Sequence, residues 1–303
     1  MDIIISNKKQ AWLHAIRLRT LPLALSSILM GSILAAYGNN FRWPVFILAA
    51  LTTIFLQVLS NLSNDYGDSI HGADSDERKG PVRAVQSGMI SLTEMKTAMI
   101  LLTGFSLFSG LTLLYFSFQD WKLFALFLGF GIMAIWAAIT YTSGDKPYGY
   151  VGLGDISVFL FFGLLGVVGT YFLHSLDITL TVFWPAISLG CFSTAVLNIN
   201  NIRDIESDKK AGKKSIPVRI GRKKAIHYNW ALIITGNMAL LIFAIANGAY
   251  GSLIALLAFP LMMVIGKSIQ AKQESHELDP YLKKMALSTL MWVILFGFGL
   301  LFF

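Results

Sequence analysis

The sequence predicts an all-α membrane protein with nine transmembrane helices. Three observations support this fold class: 55% of the 303 residues are hydrophobic, only 14% are charged, and long stretches contain no Asp, Glu, Lys or Arg. Seven of these stretches are 19 to 25 residues long, and a helix needs about 20 apolar residues to cross a bilayer. An eighth stretch, 42 residues between Lys224 and Lys267, is interrupted by Asn247-Gly248-Ala249-Tyr250-Gly251 and therefore predicts two helices.

The charge-free stretches place these elements in order along the chain. A short helix over residues 9–20, with Trp12, Leu13 and Ile16 on one side, is expected to lie in the membrane interface. The predicted transmembrane helices follow it at residues 21–37, 43–63, 97–118, 122–142, 154–173, 179–200, 229–247, 250–267 and 284–302.

The distribution of basic residues predicts the orientation of the chain. If the N-terminus is cytoplasmic, 22 of the 24 Lys and Arg lie on the cytoplasmic side, and only Arg42 and Lys122 lie outside. By the positive-inside rule we expect a multi-pass protein of the cytoplasmic (inner) membrane with its C-terminus outside. The net charge of +7 then reflects topology and contact with anionic lipid headgroups. We find no nucleic-acid motif and expect no nucleic acid as a partner.

The predicted helices are arranged as an internal repeat within a single domain, residues 1–303. A shift of 136 residues places helices one to four on helices five to eight, which defines repeats of about 11–146 and 147–282. Because an even number of crossings separates the two halves, they share one orientation, and the ninth helix is appended. The long cytoplasmic loops, 64–96 and 201–228, follow the second and sixth helices.

A polar cluster stands at the inner end of the second helix. Asn64, Asp65 and Asp68 are spaced by three and four residues, so on a helix they project from one face. Carboxylates beside a bilayer are costly unless something compensates them, which makes these residues functional candidates. They could instead cap the helix or face water.

A matching cluster stands at the inner end of the sixth helix. Asn200, Asp204 and Asp208 step by four residues, with Asn201 beside them. The repetition argues against simple capping in both places. Because both clusters lie on the same side of the membrane, we expect them to form two half-sites that face each other. Carboxylate and amide oxygens suit Mg²⁺ and the phosphate groups that it binds.

Basic residues near the two clusters could meet the remaining negative charge of a phosphate ligand. Each of them could equally be a solvated residue of a positive-inside loop. The candidates are Arg19, Arg83, Arg203, Lys209, Lys213 and Arg219.

Two further segments of the cytoplasmic face contain candidate residues. The loop from Gly67 to Gly88 contains Asp74 and could close over the site. Tyr141 could turn its ring to the site, and Lys146 could hold a phosphate or carboxylate. Both could equally be anchors in the membrane interface.

Together these motifs resemble the UbiA superfamily of intramembrane aromatic prenyltransferases. The resemblance covers essentially the whole chain and rests on Asn64-Asp65-x-x-Asp68, Asp204-x-x-x-Asp208 and nine helices with a cytoplasmic N-terminus. Arg19-Thr20-Leu21-Pro22 and Asn200-Asn201-x-Arg203-Asp204 are most similar to the branch that uses 1,4-dihydroxy-2-naphthoate. There are departures: Gly72 stands where the superfamily usually has a third Asp, with Asp74 two residues later, and the Tyr141–Lys146 spacing is one residue longer.

The resemblance implies a Mg²⁺-dependent enzyme of menaquinone biosynthesis with its active site on the cytoplasmic side. It would transfer a polyprenyl group from polyprenyl diphosphate to 1,4-dihydroxy-2-naphthoate, with loss of CO₂ and diphosphate, and give demethylmenaquinone. The implied metal ligands are Asp65, Asp68, Asp204 and Asp208, which with Tyr141 and Lys146 form the implied catalytic set. The implied substrate-binding residues are Asn64, Asn200, Asn201, Arg19, Arg83, Arg203, Lys209, Lys213 and Asp74.

Two other functions remain open from the sequence. Within the superfamily, the acceptor could be another aromatic compound, such as 4-hydroxybenzoate or homogentisate, or haem. A transporter is a more distant alternative, but transporter sites lie near the bilayer midplane, whereas these acids cluster at one face. The sequence does not indicate an oligomeric state.

Overall fold

A computed structural model describes residues 7–71 and 84–303 of the chain. The regular structure of these residues is helical, and nine of their helices are long and apolar enough to span a membrane, which confirms the predicted fold class. They are α1 (Leu21–Tyr37), α2 (Trp43–Ile70), α3 (Leu92–Ser117), α4 (Trp121–Thr140), α5 (Gly154–Ser175), α6 (Phe183–Arg203), α7 (Arg222–Asn247), α8 (Tyr250–Ala271) and α9 (Asp279–Phe302).

Local sequence explains where several helices begin. A proline occupies the first turn of α1, α2 and α9, where its missing N–H is not needed by the helix. α3 begins with a capping box, in which Ser91 accepts from the Glu94 backbone N–H and the Glu94 carboxylate accepts from Ser91. The predicted interfacial helix is also present, over Lys8–Ile16.

Several helices extend beyond the apolar segments from which they are predicted. α2 continues to Ile70 instead of ending at residue 63, and α7 begins at Arg222 instead of residue 229. Hydropathy predicts only the part of a helix that lies in lipid, whereas the backbone hydrogen bonds continue into the aqueous layer. As a result, the first acidic cluster lies on the last two turns of α2 itself.

α6 lies at the centre of the molecule and α4 at its edge. Most residues of α6 are buried, and its Phe192 ring meets Trp292 of α9 edge to face at a centroid distance of 5.3 Å. α4 packs against α2 and α3 and buries Ala137. The second acidic cluster therefore begins at the end of a mostly buried helix. The internal repeat and the single domain stay predictions.

Arg42 lies at the start of α2, opposite the end that carries the acids, and hydrogen-bonds to two neighbouring helices. Its guanidinium donates to the carbonyl oxygens of Ser117 and Leu173, both at 3.4 Å, at the ends of α3 and α5. Its backbone N–H donates to Nδ1 of the buried His174 at 3.0 Å, and Nε2 of that ring lies 3.0 Å from Ser32 Oγ of α1. Since the last carbonyls of a helix lack partners within it, a base at this position stabilises both helix ends.

Candidate active site

Both acids of the first cluster are buried at the inner end of α2. Asp65 and Asp68 are each 2% exposed. A buried carboxylate is costly unless it is paired and hydrogen-bonded. The Arg17 guanidinium donates to Asp65, and Tyr150 Oη donates to Asp68 Oδ1 at 2.9 Å. Two segments outside α2 therefore stabilise its acids.

The turn that carries Arg17 has an unusual backbone conformation. Arg17 has φ 52°, in the left-handed region, where a residue with a Cβ is strained. Asn61 of α2 holds this turn, because its Nδ2 donates to the Ile16 carbonyl oxygen at 2.8 Å and to Thr20 Oγ1 at 3.0 Å. α2 thus positions the base that pairs with its own Asp65.

The second cluster keeps its four-residue spacing across a break in the helix. α6 ends at Arg203, and a short helix, Ile205–Lys210, follows. The backbone N–H of Asp204 still donates to the Asn200 carbonyl at 3.1 Å, and that of Asp208 to the Asp204 carbonyl at 2.8 Å. The expected stripe of acids is therefore present, although two helices form it.

Arg203 organises the second cluster. Its Nε and Nη2 donate to the two oxygens of Asp204 at 2.8 and 2.7 Å, a bidentate pair. Its Nη1 donates to Asp279 Oδ1 at 2.6 Å, and the other oxygen of Asp279 accepts from Arg19 at 2.9 Å. Asp279, the first residue of α9, thereby links the start of α1 to the second cluster.

Lys213 joins the two clusters. Its Nζ lies 3.0 Å from Asp68 Oδ1 and 3.7 Å from Asp208 Oδ1. It also lies 4.7 Å from the centre of the Tyr150 ring, within the range of a cation–π contact. One ammonium group can touch both acids only if the inner ends of α2 and α6 converge, so this expectation is confirmed.

Asp208 is a buried acid whose charge depends on its neighbours. Burial raises the pKa of Asp208 to about 6, while Lys213 opposes this rise. Ser215 Oγ also donates to it, at 3.4 Å. A cation beside the carboxylate would favour its ionised form.

A cavity of about 710 Å³ extends from the two clusters into the apolar interior of the helix assembly. Its size is that of a small-molecule site. Its polar end is lined by the four acids of the clusters and the bases that contact them, together with Asn64, Asn201 and Tyr141. Its other end is apolar, and the side chains there include Phe127, Leu128, Phe161, Phe162, Leu165, Leu113, Leu114 and Leu173.

Gly67 allows α2 to approach the segment after α4. A Cβ at Gly67 would lie 2.4 Å from the Thr142 carbonyl oxygen, which is closer than atoms can pack. In this contact Thr142 Oγ1 lies 3.1 Å from both the Ser63 carbonyl oxygen and Asn64 Oδ1. Because Gly67 has no side chain, α2 lies close enough to the segment after α4 for Asn64 to contact Thr142.

Tyr141 lies in the cavity wall close to α5. A Cβ at Gly154 would lie 2.8 Å from the Tyr141 hydroxyl, so this glycine makes room for the phenol. Burial raises the pKa of Tyr141 above its ordinary value, with nearby acids adding to the effect. Tyr141 therefore presents a neutral hydroxyl.

Several residues singled out in the sequence do not reach the cavity. Lys146 and Lys209 are exposed and lie outside its lining. Arg219 is also exposed, and its guanidinium donates to the Lys214 and Val151 carbonyl oxygens. These positions do not support contacts of the three bases with a ligand in the cavity. Asp74 and Arg83 lie outside the described residues.

Sequence reasoning missed three residues of the site. Arg17, Tyr150 and Asp279 are not among the residues that the sequence analysis singles out. Arg17, Tyr150 and Asp279 are 48, 82 and 76 residues away from the acids or base that they contact. A single sequence contains no local signal for such contacts.

The donor chemistry of the polar end fits Mg²⁺. The four acids of the clusters and the side-chain amides of Asn64 and Asn200 offer oxygen ligands, which this hard cation prefers. Within residues 7–71 and 84–303, however, no three carboxylate, imidazole or thiol side chains form a ready metal-binding group. The acids instead contact Arg17, Arg203 and Lys213. Metal binding would therefore exchange some of these contacts for metal–oxygen bonds.

Comparisons with known proteins place the chain among related sequences and folds. The sequence model of the UbiA prenyltransferase family matches residues 24–290. The chain is 46% identical to a protein of Haemophilus influenzae (98% of both chains) and 40% identical to one of Escherichia coli (97% of this chain, 96% of that one). Both relatives are named 1,4-dihydroxy-2-naphthoate octaprenyltransferase.

A solved structure shows the same fold at low sequence identity. It is a UbiA homologue from Archaeoglobus fulgidus bound to GPP and Mg²⁺, with a TM-score of 0.66 and 16% identity. The match covers 96% of this chain and 99% of the other. The helix arrangement is therefore shared along nearly the entire length of both chains.

Proposed function

The chain belongs to the UbiA prenyltransferase family, and on that premise we propose that it transfers a polyprenyl group from a polyprenyl diphosphate to 1,4-dihydroxy-2-naphthoate. The products are diphosphate, CO₂ and demethylmenaquinol, the reduced form of demethylmenaquinone, and the reaction is a step of menaquinone biosynthesis. One observation carries the proposal: a single cavity joins two converging acidic clusters to an apolar tail region. The names of the two bacterial relatives support the naphthoate acceptor.

The polar end of the cavity suits the diphosphate head of the donor. Asp65, Asp68, Asp204 and Asp208 would hold Mg²⁺, which supplies positive charge against the departing diphosphate when it is bound. The chain's own bases, Lys213, Arg203, Arg17 and Arg19, line the same end of the cavity. Negative charge grows on the diphosphate as the C–O bond breaks, so fixed cations there lower the barrier.

The apolar end of the cavity suits the prenyl tail and the cation at its head. Side chains such as Phe161 and Phe162 exclude water, which would otherwise capture the allylic cation. Aromatic ring faces can also stabilise a cation by about 0.5–2 kcal/mol. The dihydroxynaphthoate ring then attacks the cation, and its carboxylate leaves as CO₂ while the electron pair of that C–C bond returns to the ring.

The distribution of charge supports an active site on the cytoplasmic side of the inner membrane. The bases that line the polar end belong to the 22 Lys and Arg assigned to the cytoplasmic face. In this orientation the N-terminus is cytoplasmic and the C-terminus outside. A charged diphosphate would then enter from the cytoplasm while its tail stays among apolar helices.

A direct assay tests the acceptor and the metal together. Purified full-length protein in lipid vesicles would receive labelled polyprenyl diphosphate with one acceptor at a time: 1,4-dihydroxy-2-naphthoate, 4-hydroxybenzoate or homogentisate. We expect a labelled quinol only with the naphthoate, release of CO₂ in equal amount, and no reaction after chelation of Mg²⁺ until the ion is restored. Transfer only to one of the other acceptors would contradict the proposed substrate, and transfer in the presence of chelator would contradict the metal requirement.

Two lysines four residues apart provide a matched test of the diphosphate site. Lys213 contacts Asp68 and Asp208 in the cavity, whereas Lys209 is exposed and outside its lining. We expect Lys213→Ala to raise KM for the prenyl diphosphate about 10-fold or more, since a charged contact contributes about 1.5–3 kcal/mol. Lys209→Ala should change KM less than about twofold, as expected of an exposed charge. Equal effects of the two substitutions in steady-state kinetics would contradict the role of Lys213.

A further inference from the structure

Another acid, Asp155, lies in the wall of the cavity, apart from the two clusters and from Asp279. Asp155 is the second residue of α5 and is 6% exposed. Its Oδ1 is buried and has no hydrogen-bond partner among the residues that the structure describes. A buried carboxylate oxygen without a partner is costly. Asp155 lines the cavity, so a rotation of its side chain towards the cavity would let a hydroxyl group of a bound ligand supply the missing hydrogen bond.

The partners of Asp155 differ from those of the cluster acids. Asp65 and Asp204 pair with arginines, and Lys213 contacts Asp68 and Asp208. The side chain that hydrogen bonds to Asp155 is instead the neutral phenol of Tyr228 on α7. Asp155 therefore has one oxygen without a partner among the described residues, whereas the cluster acids are engaged by bases that a diphosphate would also contact.

Neutral polar groups surround Asp155. Thr194 Oγ1 lies 3.5 Å from its backbone carbonyl oxygen, which places α6 directly beside it. The preceding residue, Ser193, also lines the cavity, and its buried Oγ likewise has no partner within the described part of the chain. The Tyr141 hydroxyl stands against Gly154, the residue before Asp155. These groups form a small polar patch suited to a ligand with hydroxyl groups.

We propose that Asp155 is a catalytic residue that accepts the proton of an acceptor hydroxyl while the ring attacks the prenyl cation. This inference rests on the proposed function, because it requires a hydroxylated aromatic acceptor. Removing the hydroxyl proton makes the ring more electron-rich at the moment when its carbon bonds to the cation. Ser193 and Tyr141 supply further hydrogen-bonding groups for the same acceptor.

The proton and the electrons of this step balance without a further reactant. The C–O bond of the donor breaks, and its electron pair leaves with the diphosphate. The acceptor O–H bond breaks, its proton moves to Asp155, and a ring electron pair forms the new C–C bond, leaving a carbonyl group on the ring. When CO₂ leaves, the electron pair of its bond restores the aromatic ring, and Asp155 returns the proton to the oxygen.

The test separates acceptor chemistry from donor chemistry. Asp155→Asn keeps the size of the side chain and removes its basicity. We expect kcat for prenyl transfer to fall about 10²- to 10⁴-fold, the range for general acid–base catalysis, while KM for prenyl diphosphate changes less than about threefold. The slow release of diphosphate from the donor without acceptor should stay unchanged, because it does not involve an acceptor hydroxyl. Asp145→Asn, at an exposed position of the preceding loop, is the matched control and should retain full transfer activity.

Methyl ethers of the acceptor probe the proton directly. For the ether that blocks the reacting hydroxyl, wild type and Asp155→Asn should transfer prenyl groups at rates within about threefold of each other, since coupled changes are not additive. Transfer by Asp155→Asn at the wild-type rate, or an equal loss of diphosphate release and transfer, would overturn the proposal. Failure of the proposed function is distinguishable, because then the wild-type protein itself would not prenylate dihydroxynaphthoate.

Discussion

Replacing Asp68 by Asn is expected to lower kcat for prenyl transfer about 10²- to 10³-fold. Asp68 is 2% exposed, accepts from Tyr150 and contacts Lys213, the base shared with Asp208. An asparagine keeps the oxygen that Tyr150 needs but has no negative charge for Mg²⁺ or Lys213. Groups that stabilise charge in a transition state typically contribute a factor of this size. Steady-state kinetics with saturating donor and acceptor would measure it.

The same change at other acids shows whether the effect is specific. Asp204→Asn should cause a comparable loss, because Asp204 is the corresponding acid of the second cluster and forms a bidentate pair with Arg203. Asp177→Asn, in the exposed loop between α5 and α6, should have no effect. Full activity of either cluster variant, with Mg²⁺ dependence unchanged, would be incompatible with the proposed site.

Replacing Gly67 by Ala is expected to destabilise the protein and abolish most activity. The added Cβ would lie 2.4 Å from the Thr142 carbonyl oxygen and 2.5 Å from its carbon. Both are backbone atoms, so the clash can be relieved only if α2 and the segment after α4 move apart. Overpacking of this kind typically costs about 1–3 kcal/mol, and here it displaces the turn that carries Asp65 and Asp68. Thermal unfolding in detergent and transfer activity would both report the loss.

Gly129 provides the matched control for this prediction. It also lies within a helix, α4, but a Cβ there meets no atom within 4 Å. Gly129→Ala should therefore be neutral or stabilise its helix by up to about 1 kcal/mol, since alanine has the higher helix propensity. If both alanine variants were as stable and active as the wild type, the close approach at Gly67 would not be needed.

The acids of the site were predictable from the sequence, whereas several of their partners were not. Asp65, Asp68, Asp204 and Asp208 stand at helical spacing beside apolar runs, a pattern visible in a single chain. Their spacing and repetition indicated two half-sites, and the structure brings both into one cavity. The exposed Lys146 and Lys209 show the limit of this reasoning, because loops next to the site contain both bases that line the cavity and bases that face water.

Hydropathy alone predicts the nine helices that are long and apolar enough to span a membrane among residues 7–71 and 84–303, because crossing a bilayer depends on the length and polarity of one continuous segment. The positions of the acidic clusters along the chain are likewise visible in the sequence. The groups that neutralise the acids, in contrast, are set by the packing of the helices. Arg17 reaches Asp65 across 48 residues and Asp279 reaches Arg203 across 76, and such contacts depend on how several helices pack together. Asp155 is a candidate residue for the same reason. Packing buries one of its oxygens without a partner among the described residues, which a single sequence does not reveal.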